Sequence, residues 1–202
     1  YDYSKVNFLA KQVSISSALS PRSFIVARKL PSSNAPQPFM GFAQHMPPAL
    51  SGSFGGQKIS VGTGCIVEKS AIAALSNQLS PINSSELDRA TSALGVTNAP
   101  SMVGAEFSDS AVSKRTDLDQ FQVLHFATHG LTEGQWGCAK SPPSLVTSFG
   151  DEGSDGILSF SEIAQLRLNA NLVVLSACDT ASGISEGQAQ LAGQEEAGAT
   201  LQ

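Results

Sequence analysis

Phe121-Gln122-Val123-Leu124-His125-Phe126-Ala127-Thr128-His129-Gly130 and Leu172-Val173-Val174-Leu175-Ser176-Ala177-Cys178 are the two stretches that decide the fold. Each is a run of apolar and aromatic residues that ends on a side chain with reactive chemistry. The second, a nearly continuous Leu/Val run, predicts a strand buried on both faces of a parallel sheet. Between them, Ser159-Phe160-Ser161-Glu162-Ile163-Ala164-Gln165-Leu166 opens with Ser159 and Glu162 three apart, the spacing of a capping box. Ile163 and Leu166 then share one helix face. Strand, helix and strand in that order predict a right-handed crossover, which sets the two strands side by side. His129 and Cys178 would then both lie at strand C-termini, where open α/β sheets place their sites.

That placement has a chemical use. A thiol attacks as its thiolate, and a free cysteine with a pKa of about 8.5 is mostly protonated at neutral pH. A neighbouring imidazole removes the proton and steadies the anion. The oxyanion that develops needs donors, which backbone N–H groups at a strand-to-loop turn supply. Gly130 lacks a Cβ and lets the backbone approach a carbonyl closely; the N–H of Cys178 is the second candidate donor. His129 and Cys178 stand 49 positions apart, room for a loop, a strand and a crossover helix.

Outside these stretches the sequence is less explicit. Pro21 opens Ser23-Phe24-Ile25-Val26-Ala27-Arg28, which favours a short helix, although the β-branched pair leaves a strand open. Phe39-Met40-Gly41-Phe42-Ala43 reads as a short buried strand between turn formers. Gly52 to Gly64 reads as loop. Glu68 to Leu79 predicts a helix, with Ile72, Leu75 and Leu79 at helical spacing. Phe107 to Val112 reads as a helix start capped by Ser108 or Asp109.

The 202 residues fit one domain, taken here as 1–202 and best supported over 121–180. Hydrophobic residues make up 41% and charged residues 14%, a low charge share for a free-standing domain. The net charge of −5 and the absence of any basic cluster denser than Lys114-Arg115 argue against nucleic acid as a partner. No apolar run approaches the ~20 residues of a membrane span, so no membrane partner is expected. No secretory signal opens the chain. Cys65, Cys138 and Cys178 show no CxxC spacing, which suits a reducing, cytoplasmic setting and a chain without disulfides. Both ends read as those of a fragment.

His125-Phe126-Ala127-Thr128-His129-Gly130 followed by Leu175-Ser176-Ala177-Cys178-Asp179-Thr180 resembles the CHAT domain. That family is a caspase and separase relative often attached to tetratricopeptide repeats. Asp155-Gly156-Ile157-Leu158-Ser159 through Val174 resembles the segment the family carries between the two motifs. Caspases also separate their His and Cys by about 50 residues. The resemblance is good from Phe121 to about Thr180 and weaker back to Pro21. It implies a three-layer α/β/α caspase-like fold with a mainly parallel sheet, incomplete at the C-terminus. It also implies a cysteine endopeptidase with Cys178 as nucleophile and His129 as general base. Ser176, two before the cysteine, becomes a wall of the P1 pocket. No cofactor is implied; the partners are a protein substrate and a repeat region in the same longer chain. After Gly183 the sequence departs from the family, being polar and rich in Ala and Gly from Glu186 to Gln202.

Blander readings stand beside these. A non-catalytic signalling or interaction module would use the same fold. His125 and His129 have the spacing of a zinc pair on a helix, but Phe126 stands where a metalloprotease carries Glu. On a strand they would lie ~13 Å apart, so no metal is expected and His125 reads as a hydrogen-bonded core residue. Cys178 alone would read as a small buried hydrophobe. Cys65 and Cys138 read as structural or incidental, Trp136 as groove wall or simple packing, and Asp179 as a loop cap. Asp151, Glu152 and Asp155 form an acidic loop that either selects a basic P1 residue or is merely solvated.

Overall fold

A computed structural model of the chain describes residues 7, 13, 20–48, 54, 56–61, 64–150 and 153–177. In chain order the elements are α1 (Pro21–Lys29), β1 (Met40–Ala43), β2 (Lys58–Ser60), β3 (Ile66–Glu68), α2 (Lys69–Gln78), α3 (Ser85–Leu94), β4 (Ser101–Val103) and α4 (Asp109–Ser113). They continue with β5 (Val123–Ala127), β6 (Gly130–Leu131), β7 (Ser144–Val146), β8 (Ile157–Ser159), α5 (Phe160–Ile163) and β9 (Leu172–Ser176). The fold is α/β. Its central sheet is parallel, in the order β4-β1-β5-β9. β5 and β9 are neighbours, as the strand–helix–strand reading requires.

Side chains alternate across a strand, and both faces of this sheet are covered. Met40 and Phe42 of β1 and Leu124 and Phe126 of β5 join Phe107, Val112, Leu118 and Leu158 in the largest core cluster. The Phe42 and Phe126 rings, paired in register, stack with centroids 4.3 Å apart. On the opposite face Ala43 and Ala127 meet Leu87 of α3. Gly41 permits that approach, because a Cβ there would meet Leu87 Cδ1 at 2.7 Å.

The short helix opened by Pro21 and the two capped helix starts form as expected, the first with a cap that was not read from the sequence. Ser20 and Ser23 cap each other at the start of α1, with Pro21 at its first position. Ser108 caps α4 by accepting from the Ala111 N–H. At α5 Ser159 accepts from the Glu162 N–H while the Glu162 carboxylate accepts from the Ser159 N–H. That helix, expected to Leu166, ends at Ile163.

β9 departs from the reading of a strand buried on both faces. It lies at the edge of the sheet among the described residues, so Leu172 is 47% exposed and the residues after it are half-buried. The segment read as loop contains β2, which pairs antiparallel with β3. Between β5 and β9 an unforeseen antiparallel sheet of β6, β7 and β8 leaves the top of β5.

The expectation of a chain without disulfides is corrected at Cys65 and Cys138, which are bonded with their Cα atoms 6.1 Å apart. Their separation of 73 residues carries no pairing signal. The bond ties the turn before β3 to the loop between β6 and β7, in a second core with Ile72, Leu131, Trp136 and Ile157. Trp136 is packing: it is buried and donates Nε1–H to the Pro142 carbonyl at 3.1 Å. No helix among the described residues is long and apolar enough to cross a membrane.

Candidate active site

β5 ends at Ala127, and the next three residues are fixed one by one. The Thr128 N–H donates to the Ser176 carbonyl at 3.3 Å, which locks the ends of β5 and β9 together. The Thr128 hydroxyl donates to the Val146 carbonyl at 2.5 Å. The Val146 N–H in turn donates to the His129 carbonyl at 2.8 Å. In an antiparallel ladder hydrogen-bonded pairs alternate with non-hydrogen-bonded ones. Since Gly130 pairs with Leu145, this bond makes Gly130 a non-hydrogen-bonded position, and its N–H faces out of the ladder.

His129 is half-buried, and its Nε2 lies 2.7 Å from the Ser80 carbonyl. A carbonyl only accepts, so Nε2 carries the proton and the neutral ring has Nδ1 as its basic nitrogen. Ser80 follows α2, whose last turn carries no basic residue. The partial negative charge of a helix C-terminus favours a nearby cation.

A second histidine completes this corner. His45 is 0% exposed, and its ring stands at 84° to that of His129 with centroids 5.6 Å apart. Burial holds its pKa below the ordinary value, and the nearby His129 adds to the effect; the carbonyls of Ser76 and Leu79 pull the other way. His45 is thereby disposed to stay neutral. Sequence reasoning missed it, yet a signal was present. Phe42-Ala43-Gln44-His45 repeats the pattern of Phe126-Ala127-Thr128-His129, and Ala43 pairs with Ala127 in register.

The other expected residues are distributed as follows. Ser176 is the last residue of β9 and half-buried, its carbonyl engaged by Thr128. Cys178, Asp179, Asp151 and Glu152 lie outside the described residues. The β5–β9 register offset is 49 in every pair from Val123–Leu172 to Ala127–Ser176. The separation of His129 and Cys178 is the same 49. His125 is a core residue as expected, 5% exposed with Nε2 3.1 Å from Glu86 Oε1.

Asp155 is half-buried rather than freely solvated, and its carboxylate accepts from the Ile157 N–H at 3.0 Å. Beside it, buried Asp109 accepts from the Ser154 hydroxyl and, at 3.2 Å, from the Gly156 N–H. Desolvation, then the nearby Asp109, raises the Asp155 pKa from 3.8 to about 7; the Ile157 N–H and Lys69 oppose the rise and Glu162 adds to it. Between these two pH values the folded chain holds a proton that the unfolded chain has released. The contribution to stability is therefore full below pH 3.8 and is lost as pH rises through about 7. Asp155→Asn keeps the acceptor and removes the titration. Urea midpoints at pH 5 and pH 8 should show the variant gaining on the parent at the higher pH; parallel behaviour would contradict the assignment.

A model of the CHAT domain family matches residues 1–199. No curated protein and no solved structure matches the chain.

Proposed function

Because the chain belongs to the CHAT domain family, which is related to the cysteine peptidases, we propose that it hydrolyses peptide bonds of a protein substrate. Cys178 is the nucleophile and His129 the general base. The Cys178 thiol gives its proton to His129 Nδ1, and the thiolate sulfur bonds to the scissile carbonyl carbon. The carbonyl oxygen takes the displaced electron pair and is held by the N–H groups of Gly130 and Cys178. His129 then returns the proton to the amine nitrogen as the C–N bond breaks. Water attacks the thioester, releasing the acid and restoring the thiol. Ser176 forms part of the P1 wall, and a tetratricopeptide-repeat region in the same longer chain would present the substrate.

The observation that carries this reading is the register. The offset of 49 between β5 and β9 equals the separation of His129 and Cys178 in the sequence, which supports reading the two as a pair. The fixed Nε2–H tautomer and the outward Gly130 N–H supply the base and one oxyanion donor.

A peptide carrying a C-terminal electrophilic ketone tests it. The expected product is a single covalent adduct on Cys178, found by mass spectrometry and lost in His129→Ala. An adduct of equal yield in that variant, or none in the parent, favours instead a non-catalytic interaction module. The α1 helix and the Leu30 that caps its end, with Phe24, Ile25, Val26 and Leu30 each 45–51% exposed, give such a module a surface.

A further inference from the structure

His45, His129 and Cys178 each stand two positions after the last residue of three adjacent strands, β1, β5 and β9. The first two are in contact, and the energetics of His45 are unusual. Neither of its ring nitrogens makes a hydrogen bond of good geometry among the described residues; the Ser76 and Leu79 backbone carbonyls stand near the ring and interact with it only loosely. Leaving buried polar groups unmade costs roughly 1–3 kcal/mol, and an apolar residue of the same shape would avoid it. An unsatisfied group of this kind asks for a role beyond packing.

The backbone is also bent to deliver this side chain. Gln44 has φ of +58°, left-handed backbone that non-glycine residues rarely adopt. Such strain costs about 1–3 kcal/mol and persists where the surroundings fix it. On the other side of His45 the Met46 N–H donates to the Ser148 hydroxyl at 2.7 Å, and that hydroxyl donates to the Gly104 carbonyl at 2.6 Å. His45 is clamped from both directions, and it also lies beside the Ser76 and Leu79 carbonyls of the turn that presents Ser80.

We infer that His45 is a positioning residue for His129: its ring, packed at right angles, holds the His129 imidazole with Nε2 on the Ser80 carbonyl and Nδ1 free. The Ser80 bond alone fixes one atom of the ring and leaves rotation about that atom. A perpendicular wall removes the rotation. Precision of this kind matters because a misplacement of about 1 Å in a reacting group can cost roughly 10²-fold in rate. The inference rests on the proposed role of His129, and its test separates the two.

The test uses the whole chain, with ¹⁵N-labelled histidine and iodoacetamide as the thiol probe. In the parent, nuclear Overhauser contacts should connect the His45 and His129 rings, and His129 should show one Nε2–H tautomer. His45→Ala should spread the His129 nitrogen signals toward a tautomer mixture. It should also slow Cys178 alkylation at pH 6 by on the order of tenfold. His45→Phe, which keeps a ring in place, should retain both within about twofold. The inference is overturned if the rings show no contact in the parent. It is also overturned if His45→Ala leaves tautomer and rate unchanged, or if the Phe variant loses as much as the Ala variant. Should His45→Ala fail to fold, the parent spectrum and the Phe variant still decide. If instead His129→Ala alkylates at the parental rate, the His129 role fails, while the nitrogen spectra still report on His45.

Discussion

Replacing His129 with alanine is expected to lower kcat for peptide hydrolysis roughly 10²–10⁴-fold, the range lost with a positioned general base. KM should stay nearly constant, because the ring acts on a proton in flight and not on bound substrate. Its Ser80 bond places the protonated nitrogen on a carbonyl at 2.7 Å, so Nδ1 is the only basic atom the side chain offers. Alanine removes that atom. Folding should survive the change, since a half-exposed side chain with one hydrogen bond contributes about 1 kcal/mol. Steady-state kinetics with a peptide substrate, alongside a urea titration, separates the two effects. A kcat within threefold of the parent would contradict the assignment.

Phe42→Ala is expected to be the most costly single truncation in the core, about 3–5 kcal/mol. The ring is 0% exposed, stacks on Phe126 at 4.3 Å and meets Phe107 at 5.8 Å. The Phe126 stack ties β1 to β5, the two strands whose ends carry His45 and His129. A loss of this size is a large part of the ~5–15 kcal/mol that domains typically have. Urea denaturation of parent and variant measures it, and a difference under about 1 kcal/mol would show that the stack is not the centre of the core. Truncating exposed Phe24, at 45%, is the natural control and should change little.

The parallel pair β5 and β9 was legible because each strand is a nearly continuous apolar run in the chain, although β9 is only half-buried. Capped helix starts were legible for a local reason: Ser108 and Ser159 each satisfy an N–H group three residues on. The β6–β8 sheet was not legible. Its strands are two or three residues long, too short for a period, and Gly130 and Ser144 sit where a β-former would announce them. α3 hid for a related reason, since Leu87 is its only buried residue. The Cys65–Cys138 bond depends on a loop brought to a hairpin from 73 residues away, which no local pattern records. At the site, Cys178 was read from its position after an apolar run, and His129 from the dipeptide with Gly130. His45 went unread although it ends the same Phe-Ala-x-His pattern, because its importance comes from a neighbour across the sheet. Ser80 could not have been found, for it acts through its backbone carbonyl.

The measurement closest to the central claim is the rate of Cys178 alkylation by iodoacetamide against pH in the whole chain, with and without His129. The chain has three cysteines, and the Cys65–Cys138 bond leaves Cys178 as the free thiol, so the signal belongs to one residue. The proposed pairing of His129 with Cys178 predicts substantial reactivity well below pH 7 in the parent. In His129→Ala the curve should collapse to a single rise near pH 8.5, about the value of an isolated cysteine. Two superimposable curves, both rising near that pH, would contradict the account.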